Sequence, residues 1–147
     1  METIDKLDVK SSIVEAYRSV RTSIEYSNLD NKLKVILITS TQANEGKSTV
    51  ASNLAISFSK LPNKKILLID GDLRNPSINK IFGISNSKGI MSILKGDKDL
   101  KSTIYTLNKH NLDILTTGPI PPNPDEILVT DKMKEFIQQI KEKYDYI

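Results

Sequence analysis

The chain has no cysteine and no tryptophan among its 147 residues. The lack of cysteine excludes disulfides, thiolate-held metals and a cysteine nucleophile together. Aromatics are scarce at 5 %, and the lysines behind the net charge of +3 are spread out with no block of five or six. A nucleic-acid reader concentrates basic and aromatic residues on one stripe, so no nucleic-acid partner is expected. Dispersed lysine is a solvated surface, open at most to weak attraction by an anionic membrane face. The single histidine, His110, lies between Lys109 and Asn111 ahead of an apolar run and reads as a loop residue. A zinc site would need ligands this chain lacks. No run approaches the ~18 apolar residues of a membrane span, and the polar Met1–Asp8 is unlike a secretory leader. What remains is an ordinary soluble balance, 38 % hydrophobic and 27 % charged, in one domain's worth of chain.

The most informative stretch runs from Val35 to Thr49. Val35-Ile36-Leu37-Ile38 is an apolar run expected to form a buried strand. Thr39 to Glu45 is polar, and Gly46-Lys47-Ser48-Thr49 opens a segment in which Val50, Ala51, Leu54, Ala55 and Phe58 recur at helical spacing. Strand, loop and helix in this order make a phosphate-binding loop. The helix N-terminus offers unpaired amides and a dipole to an anion. Lys47 adds charge at the β- and γ-phosphates, and the Ser48 hydroxyl is a magnesium ligand. The first glycine of the usual pattern is replaced by Thr41. The plain alternative is a strand-to-helix turn capped by Ser40 or Asn44.

A second site weighs on that choice. Lys65-Ile66-Leu67-Leu68-Ile69 is another apolar run, ended by Asp70-Gly71-Asp72. Strand, helix and strand make a right-handed βαβ unit with ligands beyond the carboxyl ends of the strands. Asp70 and Asp72 therefore fall on the rim that carries Gly46-Lys47-Ser48. Two carboxylates there repel unless a cation is present. Magnesium bound with phosphates supplies one, and a carboxylate beside it can take a proton from an attacking hydroxyl. Arg74 is placed to neutralise the aspartates or approach phosphate.

Elsewhere, residues 1–10 read as a flexible lead. An amphipathic helix is expected over Ser12 to Tyr26, with Ile13, Tyr17, Val20 and Ile24 as its apolar face. Ser11 or Ser12 would cap it, the latter in a capping box with Glu15. Glu15, Arg18 and Arg21 lie three apart on the opposite side, as a solvated face or a partner surface. Short helices are expected from Ile78 towards Gly83, from Gly89 to Leu94 and from Asp125 to Leu128. Leu112–Thr116 is a third strand, Gly118–Pro124 a stiff loop near the rim, and Asp131–Lys143 a helix with Met133, Phe136, Ile137 and Ile140 inward. Tyr144–Ile147 reads as the start of another strand. The fold class is α/β: a P-loop NTPase-like parallel sheet flanked by helices, in one domain over 1–147 that stops before its next strand.

These motifs together resemble one family. Ser40 to Thr49, ending Glu45-Gly46-Lys47-Ser48-Thr49, is similar to the Walker A loop of the bacterial tyrosine kinases of capsular and exopolysaccharide biosynthesis. Those kinases are akin to the MinD/ParA group of P-loop ATPases. Ile66 to Pro76 resembles their second, Walker A′ motif, and Glu15-x-x-Arg18-x-x-Arg21 their oligomerisation helix. Thr117-Gly118-Pro119 through Pro122-Asn123-Pro124 to Leu128 resembles their Gly-Pro…Pro-Asn-Pro loop.

The resemblance implies an ATP- and Mg2+-dependent protein-tyrosine kinase that phosphorylates itself and regulates capsule or exopolysaccharide synthesis. By it, Asn44, Glu45, Gly46, Lys47, Ser48 and Thr49 hold the nucleotide, Ser48 and Asp72 the metal, and Lys47, Asp70 and Asp72 are catalytic, with Asp70 leaning to the base. It also implies self-association as a ring through Glu15, Arg18 and Arg21 of the helix over 12–26, protein tyrosine substrates, and a separate membrane-bound activator that recruits a cytoplasmic chain to the inner face of the membrane. A Walker B strand and a tyrosine-rich tail are expected beyond Ile147. The competing readings are a MinD/ParA-like switch ATPase, disfavoured because Thr41 to Glu45 carries no signature lysine, and an inactive truncated product.

Overall fold

The structure, a computed structural model, describes residues 3–30, 32–107 and 111–147. His110 lies outside them. Helix α1 spans Ser12–Ser27, α2 Lys47–Ser59, α3 Ile78–Phe82, α4 Ile90–Leu94, α5 Leu100–Thr103, α6 Pro124–Leu128 and α7 Asp131–Lys141; the strands are β1 Ile66–Ile69, β2 Tyr105–Leu107 and β3 Leu112–Leu115.

The strands form a sheet of order β1-β3-β2. β1 pairs with β3 in parallel, Ile66 opposite Leu112 and Ile69 opposite Leu115. The short β2, absent from the sequence reading, pairs with β3 antiparallel. Successive side chains of a strand point to opposite faces, and two cores follow. Ile66, Leu68, Leu112 and Ile114 pack with Ile4, Val14, Leu54, Ile56 and Phe58 on one side. Leu67 and Leu115 pack with Ile90, Met91, Met133, Phe136 and Ile140 on the other. Helices therefore cover both faces of the paired strands, as the apolar runs without polar alternation require.

The phosphate-loop strand departs from expectation. Among the described residues, Lys34 to Thr39 lies outside the regular ladder. It is joined at one end, where Ile36 N–H donates to the Ile147 carbonyl (2.8 Å) and Ile147 N–H to the Lys34 carbonyl (2.7 Å). Tyr146 makes a single parallel bridge to Ile66, which seats residues 145–147 between this segment and β1. Farther along, the Lys34–Thr39 segment and β1 flank a cleft of about 750 Å³, lined by Ile36, Ile38, Leu54, Leu68, Lys47 and Asp72. The run is half-buried: Ile36 and Ile38 pack against the core, while Leu37 is 85 % exposed.

Two further expectations are corrected. The stretch read as a flexible lead is anchored at its start: Ile4 is 2 % exposed, and its N–H donates to Asn53 Oδ1 of α2 (3.0 Å), while residues 8–10 are exposed. The buried face of α1 is rotated from the apolar stripe. Val14, Tyr17 and Ile24 join the core, while Ile13 and Val20 are exposed. The cause is Arg21, whose guanidinium donates to the Ser57 carbonyl of α2 (2.8 Å) and pairs with Glu25 (3.4 Å), leaving its side chain 14 % exposed. A polar residue holds the helix seam, and the outward Glu15–Arg18 pair (3.7 Å) loses its third member. Ser11, not Ser12, is the cap.

Candidate nucleotide site

The loop before α2 reverses direction through two left-handed residues, Asn44 (φ 62°) and Gly46 (φ 93°). Asparagine tolerates this conformation and glycine takes it freely. Gly46 is then the N-cap of a 13-residue helix and offers no side chain to its first-turn amides, which leaves that turn suited to an anion. Glu45 braces the loop: its carboxylate accepts from Gln42 N–H (3.1 Å) and the Thr41 hydroxyl (3.4 Å). The Gln42 amide, above all, holds the Glu45 carboxyl below its ordinary range.

Lys47 and Ser48 lead from the loop to the second motif. Lys47 Nζ lies 3.8 Å from Asp72 Oδ2, and both side chains are a little over a quarter exposed. The Ser48 hydroxyl accepts from the Ser77 hydroxyl at 2.7 Å. The two aspartates differ. Asp72 faces the cleft and braces its own turn by accepting from Asn75 N–H (2.9 Å). Asp70 is 2 % exposed. Its Oδ2 accepts from the amides of Ser77 and Ile78, both at 2.9 Å, and its Oδ1 from the amide of Asp72 at 3.2 Å. Burial pushes the Asp70 carboxyl above its usual value, against the opposing pull of those amides.

Arg74 turns away from both aspartates and forms an ion pair with Asp125 at the start of α6. The pair ties the turn after β1 to the Pro-rich segment, and Pro124 and Asp125 line the same cleft as Lys47 and Asp72. That segment is fixed from beneath. Asn86 bonds both the N–H and the carbonyl of Gly118, and a Cβ on Gly89 would stand 2.2 Å from Gly118 N. The Thr117 hydroxyl donates to the Asp70 carbonyl (3.1 Å). Sequence reasoning missed Ser77, for which the available signal was a cap-forming serine after Asn75-Pro76, and gave Thr117 no contact with Asp70.

The phosphate loop, the lysine opposite a carboxylate and the hydroxyl at the helix start have the layout of a P-loop. The sequence matches the family described as ParA, NUBPL iron-transfer P-loop NTPase, over residues 31–146. The chain belongs to this family of P-loop NTPases, although it has no cysteine to act as a thiolate ligand. Its curated relatives include bacterial tyrosine kinases. It is 42 % identical over 138 residues to tyrosine-protein kinase YwqD of Bacillus subtilis (strain 168), with 94 % of this chain and 58 % of that protein covered. It is 35 % identical over 138 residues to the putative tyrosine-protein kinase CapB of Staphylococcus aureus, with 94 % and 60 % covered. The chain thus spans about three-fifths of the length of these two relatives. The solved kinase domain of Escherichia coli tyrosine kinase ETK superposes with a TM-score of 0.89 at 31 % identity, over 99 % of this chain and 57 % of that one. The septum site-determining protein MinD of Pyrococcus horikoshii, complexed with Mg-ADP, is more distant, with a TM-score of 0.63 at 30 % identity over 78 % and 46 %.

Proposed function

We propose that this chain binds ATP with Mg2+ and belongs to a protein-tyrosine kinase that phosphorylates itself and regulates capsule or exopolysaccharide synthesis. The observation that carries the reading is that Lys47, Ser48 and Asp72, from two motifs, line one cleft, in a chain whose relatives are named tyrosine kinases. The donor set fits. The first turn of α2 and Lys47 match phosphate, and a hydroxyl with a carboxylate matches the few protein ligands Mg2+ takes alongside phosphate oxygens. Bound Mg-ATP supplies the transferable γ-phosphoryl group and offsets its charge.

The chain's own residues then position and neutralise. With nucleotide bound, Lys47 would turn from Asp72 to the phosphates, and Ser48 and Asp72 would hold the metal. Asn44, Glu45, Gly46 and Thr49 complete the nucleotide contact. To serve as base towards a tyrosine hydroxyl, Asp70 has the remaining lone pair of Oδ1, on a side chain that is 2 % exposed. With all three amides engaged it positions α3, and Asp72 is the carboxylate open to an incoming hydroxyl.

The outward Glu15–Arg18 pair is the part of α1 that suits self-association as a ring; Arg21 contributes by fixing the helix to α2. No helix among the described residues is long and apolar enough to cross a membrane. Recruitment to the inner membrane face through a membrane-bound activator is part of the same reading, supported by family resemblance. The test is Lys47→Met in the protein that carries this chain, read as phosphotyrosine in cells. Loss of label is expected, and unchanged label refutes the kinase. ATP hydrolysis without any phosphotyrosine, in the unmodified protein, favours instead the switch-ATPase reading that the likeness to MinD supports.

A further inference from the structure

Ser77 is the N-cap of α3, yet its side chain makes no capping bond there. A serine in that place ordinarily accepts from an amide of the first turn. Here Asp70 does the work from β1's end, its Oδ2 accepting from both Ser77 N–H and Ile78 N–H at 2.9 Å. The Ser77 hydroxyl is thereby free of its local duty and points across to α2, where it meets the Ser48 hydroxyl at 2.7 Å. Asp70, Ser77 and Ser48 form a relay from the second motif to the phosphate loop.

We propose that Ser77 is a positioning residue that orients the Ser48 hydroxyl for a divalent cation. This rests on the nucleotide site proposed above. A hydroxyl that ligates a cation turns a lone pair to the metal and its O–H away from it. That O–H then needs an acceptor. Each hydroxyl both donates and accepts, so the Ser77–Ser48 bond reverses direction without moving either oxygen. Without metal, Ser77 donates to Ser48. With metal, Ser48 donates to Ser77, and the orientation of the ligand is held. Partners of this kind behind a metal ligand are worth about 10–100-fold in metal affinity. Asp70 has a second part in this account: by capping α3 it releases the hydroxyl that the relay uses.

The experiment measures binding of a fluorescent ADP analogue to the full chain, with MgCl2 and with EDTA. Ser77→Gly keeps a favourable N-cap residue and removes the hydroxyl; Ser77→Thr keeps the hydroxyl. The expected result is that Ser77→Gly lowers the Mg2+-dependent gain in affinity about tenfold, leaves affinity in EDTA unchanged, and is rescued in Ser77→Thr. A loss of purely structural origin would lower both affinities together and would overturn the proposal. So would a Mg2+ gain in Ser77→Gly equal to that of the unmodified chain. If the unmodified chain binds no nucleotide at all, the proposed function fails and this inference with it; if it binds with a Mg2+ gain that Ser77→Gly retains, only the inference fails.

Discussion

Lys47 Nζ stands 3.8 Å from Asp72 Oδ2, so the phosphate-loop lysine is paired with the carboxylate that it would leave for phosphate on the reading proposed above. At 3.8 Å the pair is long, and both side chains keep more than a quarter of their exposure, so it contributes little to stability. Lys47→Met is expected to abolish nucleotide binding with and without Mg2+. Asp72→Asn is expected to retain binding in EDTA and to lose most of the gain on adding Mg2+, about tenfold or more. Equilibrium titration with a fluorescent nucleotide checks both. Asp70→Asn differs in kind: its amide group replaces one acceptor oxygen, so an amide on Asp72, Ser77 or Ile78 loses its partner. A stability loss of about 1–3 kcal/mol is expected by urea denaturation, where Asp72→Asn shows little.

Arg21 and Arg18 sit one helical turn apart on α1 with opposite fates. Arg21 donates to the Ser57 carbonyl, and a charge-assisted bond of this sort contributes about 1.5–3 kcal/mol. Arg18 is two-thirds exposed and pairs with Glu15. Arg21→Ala is expected to lower stability by that amount, and Arg18→Ala by less than about 0.5 kcal/mol. Chemical denaturation of the two variants decides. Equal, small effects would mean that α1 is not docked through Arg21.

The Tyr144 hydroxyl donates to Asp113 Oδ2 at 2.7 Å, in a partly buried place. Burial, then the bond to and charge of Asp113, push its pKa well above the ordinary 10.0. The folded state therefore keeps this proton after the unfolded chain has lost it. Stability from Tyr144 is intact below about pH 10 and declines as pH rises from there towards the folded-state pKa. Tyr144→Phe is expected to cost about 1–2 kcal/mol at pH 8, and the gap between it and the unmodified chain is expected to narrow by pH 10.5–11. Urea denaturation at the two pH values measures the gap; a constant gap would show that Tyr144 ionises normally.

Gly89 allows one of the tightest backbone contacts in the molecule. Ile90 N–H bonds the Thr116 carbonyl (2.8 Å) and Met91 N–H the Thr117 carbonyl (3.0 Å), bringing Gly89 against Gly118. A Cβ on Gly89 would lie 2.2 Å from both Gly118 N and the Thr116 carbonyl oxygen, and neither is the end of a flexible side chain. Gly89→Ala is expected to cost about 3 kcal/mol or more, above the usual overpacking range, with a thermal midpoint lowered by several degrees. A neutral outcome by differential scanning calorimetry would mean that the segment is looser than described.

The parts legible in the sequence are those written in neighbouring residues. The inward face of α7, with Met133, Phe136 and Ile140, follows from period 3.6. The phosphate loop follows from an apolar run meeting Gly46-Lys47-Ser48, and Asp70 and Asp72 from the end of β1. β2 escaped notice because three residues, Tyr105–Leu107, carry too short a pattern. The apolar stripe of α1 misled because Arg21 finds a carbonyl on another helix, which periodicity does not encode.

By itself, then, the sequence determined the α/β class, the order of motif and helix, and which residues stand at strand ends. All of these are set by local backbone preference and by apolar period. Only the tertiary structure decided which of those residues touch. Ser77 reaches Ser48 across 29 positions, Arg74 takes Asp125 across 51 and so leaves the aspartates, and Asp70 is spent on α3 while Asp72 faces Lys47. Such pairings depend on how separate segments pack against one sheet, and the energy that selects them is shared among residues far apart in the chain.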